Sequence, residues 1–275
     1  MFRKKKTDIP VAPESLPAMA GTAPEAVKPR KHRKPHPVRN GVLLTFLYFI
    51  IYTVGIIVIH DFTSPYTPGW SESFIQIFVR LPIGLAIYKV LQKRRPAETI
   101  RKIPRKRFLA FLVLHVALVQ LPIQAAWPSL HATADALAGQ EAAWSEVLNV
   151  LLLGPIVEEV IFRGALFGLS RRRLDFWPAA ITNGILFGLT HFSDPINMMV
   201  TAMVAVLFCA LVEATGRIRY GIALHLAFNW CGLLAVPLYP YIPALVALPV
   251  FAVGIAINLV LIIRKDRLIA RLLPD

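Results

Sequence analysis

Apolar residues run along this chain in eight long blocks, separated by short polar or charged breaks. The blocks are about Gly41 to Ile59, Phe74 to Leu91, Phe108 to Trp127 and Glu146 to Leu169, then Trp177 to Phe192, Pro195 to Thr215, Tyr220 to Leu238 and Pro243 to Ile263. Most approach the ~20 residues a helix needs to cross a bilayer core, and the fifth is short. Backbone groups in lipid must be satisfied within the segment, so runs of this length predict helices. The expected architecture is an all-α, polytopic membrane bundle over residues 41–275, with about eight transmembrane helices. No repeat of 20–50 residues and no inverted repeat stands out.

Residues 1–40 follow no apolar period. They hold seven prolines, the cluster Arg3-Lys4-Lys5-Lys6 and a second basic run from Lys28 to Arg39. Ten Lys/Arg against three acids leave this stretch at +7. Such a composition predicts a disordered, proline-rich cytoplasmic tail. Its expected partner is anionic lipid, at roughly 1 kcal/mol per basic residue near the surface. No aromatic residue interleaves the basic positions, so nucleic acid is not an expected partner. The first apolar block starts too far in, and lacks the small-residue cleavage site, for a signal peptide.

Composition supports this reading. Of 275 residues, 56% are hydrophobic and only 17% charged, with mean hydropathy +0.58. Soluble domains hold about 45–50% apolar and about 25% charged residues, so an ordinary water-soluble domain is excluded. The net charge of +14 falls in breaks between blocks rather than over a folded surface. Basic residues occupy alternate loops: Lys93 to Arg107, Arg171-Arg172-Arg173, Arg217 with Arg219, and Arg264 to Arg271. Loops 60–73, 128–145, 193–194 and 239–242 contain no Lys or Arg. The positive-inside rule then predicts both termini in the cytoplasm, which requires an even number of spans. Trp70, Trp127, Trp177, Tyr66, Tyr220 and Tyr239 sit at block ends, as an aromatic belt would. Cys209 and Cys231 lie inside apolar blocks and read as small buried hydrophobes. The segment from Asp135 to Glu146 is acidic and reads as an outer loop or amphipathic piece. The basic proline-rich tail and the lack of targeting signals point to a bacterial cell membrane.

Polar side chains at bilayer depth are costly and are functional candidates by default. The fourth block carries Glu158, Glu159 and Arg163, the fifth Asn183 and His191, the sixth Glu213 near its end, and the seventh His225 and Asn229. Arg80, His115, Gln120, Gln124 and Asn258 are scattered elsewhere. Glu159 and Arg163 are i, i+4 and stack on one helix face, so an internal ion pair is expected. Glu158 is rotated about 100° from Glu159 and is left over. A carboxyl without a counter-ion in a low dielectric is a candidate general acid or base. His225 with Asn229, and Phe187 with His191, are again i, i+4. A carboxylate and a histidine can activate water, while a second histidine and an amide can donate to an oxyanion. His115, Gln120, Gln124, Asn183 and Asn258 read instead as interhelical polar contacts. Two rivals are an ion path and zinc on Glu158, His191 and His225, although no H-E-x-x-H helix is present.

In order, the chain reads E-E-x-x-x-R at Glu158 to Arg163, F-x-x-x-H at Phe187 to His191 and H-x-x-x-N at His225 to Asn229. This order resembles the CPBP family of CAAX proteases and bacteriocin-processing enzymes, also called Abi, over about residues 146–232. The resemblance implies an eight-helix intramembrane endopeptidase acting on a membrane-associated peptide or protein. It implies that Glu158 and His191 activate water and that His225 and Asn229 form the oxyanion site. Glu159, Arg163 and Phe187 would support them. It implies no required metal, although the family has long carried a metalloprotease label that would place zinc on Glu158, His191 and His225. It also implies alternatives without catalysis, a membrane scaffold or a bacteriocin-immunity protein. At ~1.5 Å per residue, straight helices would put Glu158 about 16 Å, His191 about 21 Å and His225 about 7 Å from the basic ends. Bringing them together requires tilt, a later start for the fifth span or a seventh segment that starts outside the core, and the resemblance then implies block boundaries off by about a turn there.

Overall fold

A computed structural model describes residues 37–63, 73, 75–93, 100–126, 147–191, 194–235, 238 and 241–273. The first 36 residues, Trp70, Trp127, Tyr66, Tyr239 and the Asp135 to Glu146 segment lie outside the described residues, and with them most of the expected belt and all of the expected tail but residues 37–40, which are helical.

The described residues are helical and contain no strand. The rods are α1 (Pro37–Thr63), α2 (76–93), α3 (Arg105–Ala126), α4 (149–170), α5 (Phe176–Leu189), α6 (Pro195–Thr215), α7 (Arg219–Ala235), α8 (Ala244–Ile263) and α9 (Lys265–Leu272). The first eight coincide with the eight apolar blocks. Four helices, α1, α3, α6 and α8, are long and apolar enough to cross a membrane, while α5 is a shorter apolar helix. The centre is α6, most of whose side chains are buried. It starts where the Asp194 side chain accepts from Asn197 N–H at 2.9 Å, with Pro195 in the first turn. It ends on Gly216, whose φ of 67° suits a residue without Cβ. By contrast, only 11% of the apolar window of α1 is buried.

Small residues bring α5 onto α6. A Cβ on Gly184 would meet Ala202 O at 2.7 Å, and one on Gly188 would meet Met198 O at 2.5 Å. The two glycines form a small-xxx-small face that admits the backbone of the next helix.

The basic loops gather at one end of the bundle. Arg101 N–H donates to Thr215 O, and Arg217 Nε to Arg101 O. Arg107 Nη1 donates to Leu273 O at 2.8 Å. Arg171 pairs with Glu213 at 2.6 Å, and that hydrogen bond raises the Arg171 pKa above its ordinary value. Lys265 lies over the rings of Phe176 and Trp177. Tyr220 departs from the expected belt. It is buried, and its hydroxyl accepts from Ile103 N–H at 2.8 Å, holding the 100–104 segment on α7. Trp177 remains exposed.

Three helices share a local device that the apolar pattern does not announce. In α2, α3 and α4 a proline lies inside the rod at Pro82, Pro122 and Pro155. A proline has no N–H for the i−4 carbonyl and clashes with it. The residue before each proline bonds one position further back: Leu81 to Gln76 O, Leu121 to Val116 O and Gly154 to Asn149 O. Each gives one π turn, which re-aims the side chains beside it. In α4 a second π stretch, Glu159–Phe167, follows after the α-helical segment Gly154–Glu158.

Candidate active site

The two motif glutamates sit in α4 where the α-helical segment ends, at Glu158, and the second π stretch begins, at Glu159. Glu159 is fully buried. Its Oε1 lies 2.8 Å from Arg163 Nη1, and both side chains are 0% exposed. The expected ion pair is therefore present. Arg163 is packed under Phe187, 4.2 Å from that ring's centroid, and Phe208, 5.1 Å away. The same Glu159 oxygen also takes His225 Nδ1 at 3.0 Å. A carboxylate paired with arginine can only accept, so Nδ1 carries the proton and Nε2 points away. A Cβ on Gly221 would stand 2.5 Å from Glu159 Oε2, so the glycine one helical turn before His225 leaves room for this carboxylate.

Glu158 differs from the expectation of a carboxyl left alone. Its Oε2 lies 3.6 Å from His225 Nε2, and its side chain is 30% exposed. The reason is a cavity of about 290 Å³ that opens onto it. Glu158, His191, His225 and Asn229 all line that cavity. His225 is thus gripped by one glutamate and faces the other.

His191 lies just past the end of α5, in a turn where His191 N–H bonds Gly188 O. Its Nδ1 is 2.9 Å from Phe187 O. A carbonyl only accepts, so Nδ1–H is the donor and Nε2 keeps its lone pair. The Phe187 ring holds the cluster together. It touches Arg163, His191 (4.7 Å between centroids) and His225 (5.6 Å).

Asn229 is positioned by the first π turn of α4. With Gly154 N–H taken by Asn149 O and Pro155 lacking an N–H, Val150 O has no donor within the helix. Asn229 Nδ2 fills it at 2.8 Å. One amide proton is anchored there and the other remains. Pro155→Ala is expected to supply the missing N–H, release Asn229 and lower turnover by about 10²-fold, the scale of a misplaced catalytic group. The melting temperature should not fall. Kinetics alongside a thermal melt would check it.

The turn-sized boundary error predicted from depth is not found. α5 and α7 each start one residue before the expected position.

The cavity also recruits residues that their sequence neighbourhood did not mark. Gln76 and Arg80 flank the π turn of α2, Asn149 opens that of α4, and Asn197 comes from α6. Gln124, read as an interhelical contact, donates to Phe228 O and also lines the cavity. The signal that could have found several of them was a proline within one turn inside an apolar block. The other contacts behave as read. His115 Nε2 and Gln120 Nε2 converge on Asn258 across α3 and α8. Asn183 donates to Phe162 O at 2.8 Å and takes the Cys209 thiol. Both cysteines are free and buried.

Among the described residues, no three His, Cys, Asp or Glu side chains converge to hold a metal ion, so Glu158, His191 and His225 do not form such a site.

With this geometry in place, comparison with known proteins is informative. Residues 140–231 match the family model of type II CAAX prenyl endopeptidase Rce1-like proteins. That match spans all three motifs. The Bacillus subtilis (strain 168) protein YdiL, named as a candidate membrane peptidase, is 35% identical over 78 residues. That match covers 28% of this chain and 32% of YdiL. Both findings support the CPBP family that the three motifs resemble. No solved structure gave a significant match.

Proposed function

We propose that this chain is a CAAX-protease-like intramembrane endopeptidase that hydrolyses a peptide bond in the cavity between α2 and α7. The carrying observation is that Glu158, His191, His225 and Asn229, from two separate helices and one helix end, line one cavity. Glu158 accepts a proton from water as that water adds to the scissile carbonyl carbon. His191 orients the water through Nε2, its other nitrogen being held by Phe187 O. The carbonyl oxygen becomes an oxyanion near Asn229 and His225. For His225 to donate there through Nε2, its ring carries protons on both nitrogens, with Nδ1–H kept by Glu159. The C–N bond then breaks, and the proton taken by Glu158 passes to the leaving amine. Preorganised donors of this kind supply the largest share of the rate.

A membrane-associated substrate has a route to the site. A further cavity of about 230 Å³, between α1, α2 and α4, shares Arg80, Glu158 and His191 with the first. Its outer wall is α1, the least buried of the four membrane-length helices, so a substrate segment enters from the bilayer beside α1.

His191→Ala tests this reading. Cleavage is expected to fall by about 10²–10⁴-fold, the usual contribution of a positioned acid–base group. Comparing membrane proteomes of cells with wild type or H191A should show fragments that vanish in the variant. Undiminished fragments, in a variant expressed at wild-type level, would favour a non-catalytic scaffold.

A further inference from the structure

The last membrane helix ends in a feature that the proteolytic reading leaves unused. After α8 the chain turns at Arg264 and runs into α9, an eight-residue helix of strongly two-faced composition. One face of α9 is committed to the bundle. Leu272 is buried, and Leu268 and Ile269 pack on the core. Its far end is tied down by Arg107, which donates to Arg271 O and Leu273 O. On the other face Arg267 and Arg271 stand one turn apart, with Arg264 one turn earlier at the junction.

These three arginines line a single cavity of about 220 Å³ whose remaining walls are Val260, Leu261 and Leu268. All three are exposed. Among the described residues none has an ion pair or side-chain hydrogen bond, unlike Arg171, which Glu213 takes, and Lys265, which Asp266 and two rings take. No carboxylate lines the cavity. Its floor continues into the exposed apolar surface of α8, where Val260 is 51% and Ile263 71% exposed.

We infer that this groove binds an anionic phospholipid, with the headgroup phosphate on Arg264, Arg267 and Arg271 and an acyl chain along Val260 and Ile263. Charge complementarity selects the anion. Guanidinium forks match phosphate geometry, and three unneutralised ones at the rim call for negative charge. The apolar floor at the end of a membrane-length helix selects a lipid over a soluble anion. A lipid seated there would also clamp α9 to α8, and through Arg107 to the start of α3.

Native mass spectrometry of protein released from vesicles of phosphatidylcholine with phosphatidylglycerol tests this. Wild type should retain a phosphatidylglycerol adduct. R264Q/R267Q/R271Q should bind it about a hundredfold more weakly, since each basic residue at a membrane surface contributes roughly a factor of five. A charge-matched control, K102Q/R172Q/R173Q, removes exposed basic residues elsewhere at the same end and should keep the adduct. Equal loss in both variants would reduce the effect to general surface attraction and overturn the site, as would retention in the first. Soluble glycerol phosphate should fail to displace the lipid; full displacement would make the groove a phosphate site and refute the lipid assignment. If the triple variant does not fold, R267Q alone should show about a fivefold loss. These readouts do not depend on proteolysis, so they stand or fall separately from the active site.

Discussion

Glu158→Gln should abolish cleavage and leave the fold untouched. Glutamine keeps the shape of glutamate and loses only the capacity to take a proton. The side chain borders the cavity, is 30% exposed and makes no contact closer than the 3.6 Å approach to His225 Nε2 among its ion-pair partners. Little packing energy is therefore at stake, and the change in thermal stability should stay within about 0.5 kcal/mol, as for sites without a buried network. The rate should drop by about 10³-fold or more, near the upper range for a general base. Single-turnover cleavage of a membrane-reconstituted peptide substrate, run beside a thermal melt, separates the two effects. An active E158Q protein would remove Glu158 from the chemistry, whatever becomes of His191.

The neighbouring glutamate should behave in the opposite way. Arg163→Met removes the cation of a pair in which both partners are 0% exposed, and it leaves the Glu159 carboxylate with only His225. Breaking a buried pair from one side costs about 3–5 kcal/mol, because the surviving charge keeps one hydrogen bond but has lost its arginine and has no solvent to replace it. The stacking of the guanidinium on Phe187 and Phe208 is lost as well. R163M should melt far below wild type. Adding Glu159→Gln removes the orphaned charge, so E159Q/R163M should recover much of the stability. Activity should not return with it, because His225 Nδ1–H would then face a neutral amide and lose the carboxylate that holds it and balances the charge on its ring. A stable R163M single variant, or a double variant that regains both stability and turnover, would show that the pair does not organise the site. Side by side, E158Q should be folded and inactive, and R163M unfolded before it is inactive.

Much of the architecture was legible from hydrophobicity. Pro195 to Thr215 coincides with α6 at both ends, because Asp194, Pro195 and Gly216 are local stop and start signals as well as the borders of an apolar block. The other rods begin or end within a few residues of their blocks. The Glu159–Arg163 pair was readable for the same reason, since i, i+4 neighbours meet on any helix. The π turns were not, because apolar length carries no information about which carbonyl a given N–H chooses. Pro82, Pro122 and Pro155 were visible inside the blocks, but their consequence lies in the neighbouring bond, one position further back. Tyr220 shows the same limit. At the end of an apolar block it fits a membrane border, yet its hydroxyl is used by Ile103, more than a hundred residues away in the chain.

What residues alone settled here is the set of helices, their apolar character and the chemistry each can offer, because bilayer-length hydrophobicity and i, i+4 spacing are properties of a single rod. Which groups meet was decided only when the rods packed. His225 gives one nitrogen to Glu159 and turns the other towards Glu158, while Asn229 fills a carbonyl that Pro155 had left open. Those choices rest on contacts between α4 and α7, 66 and 79 residues apart in the chain. Their cause is that a buried polar group must find a partner wherever the fold supplies one.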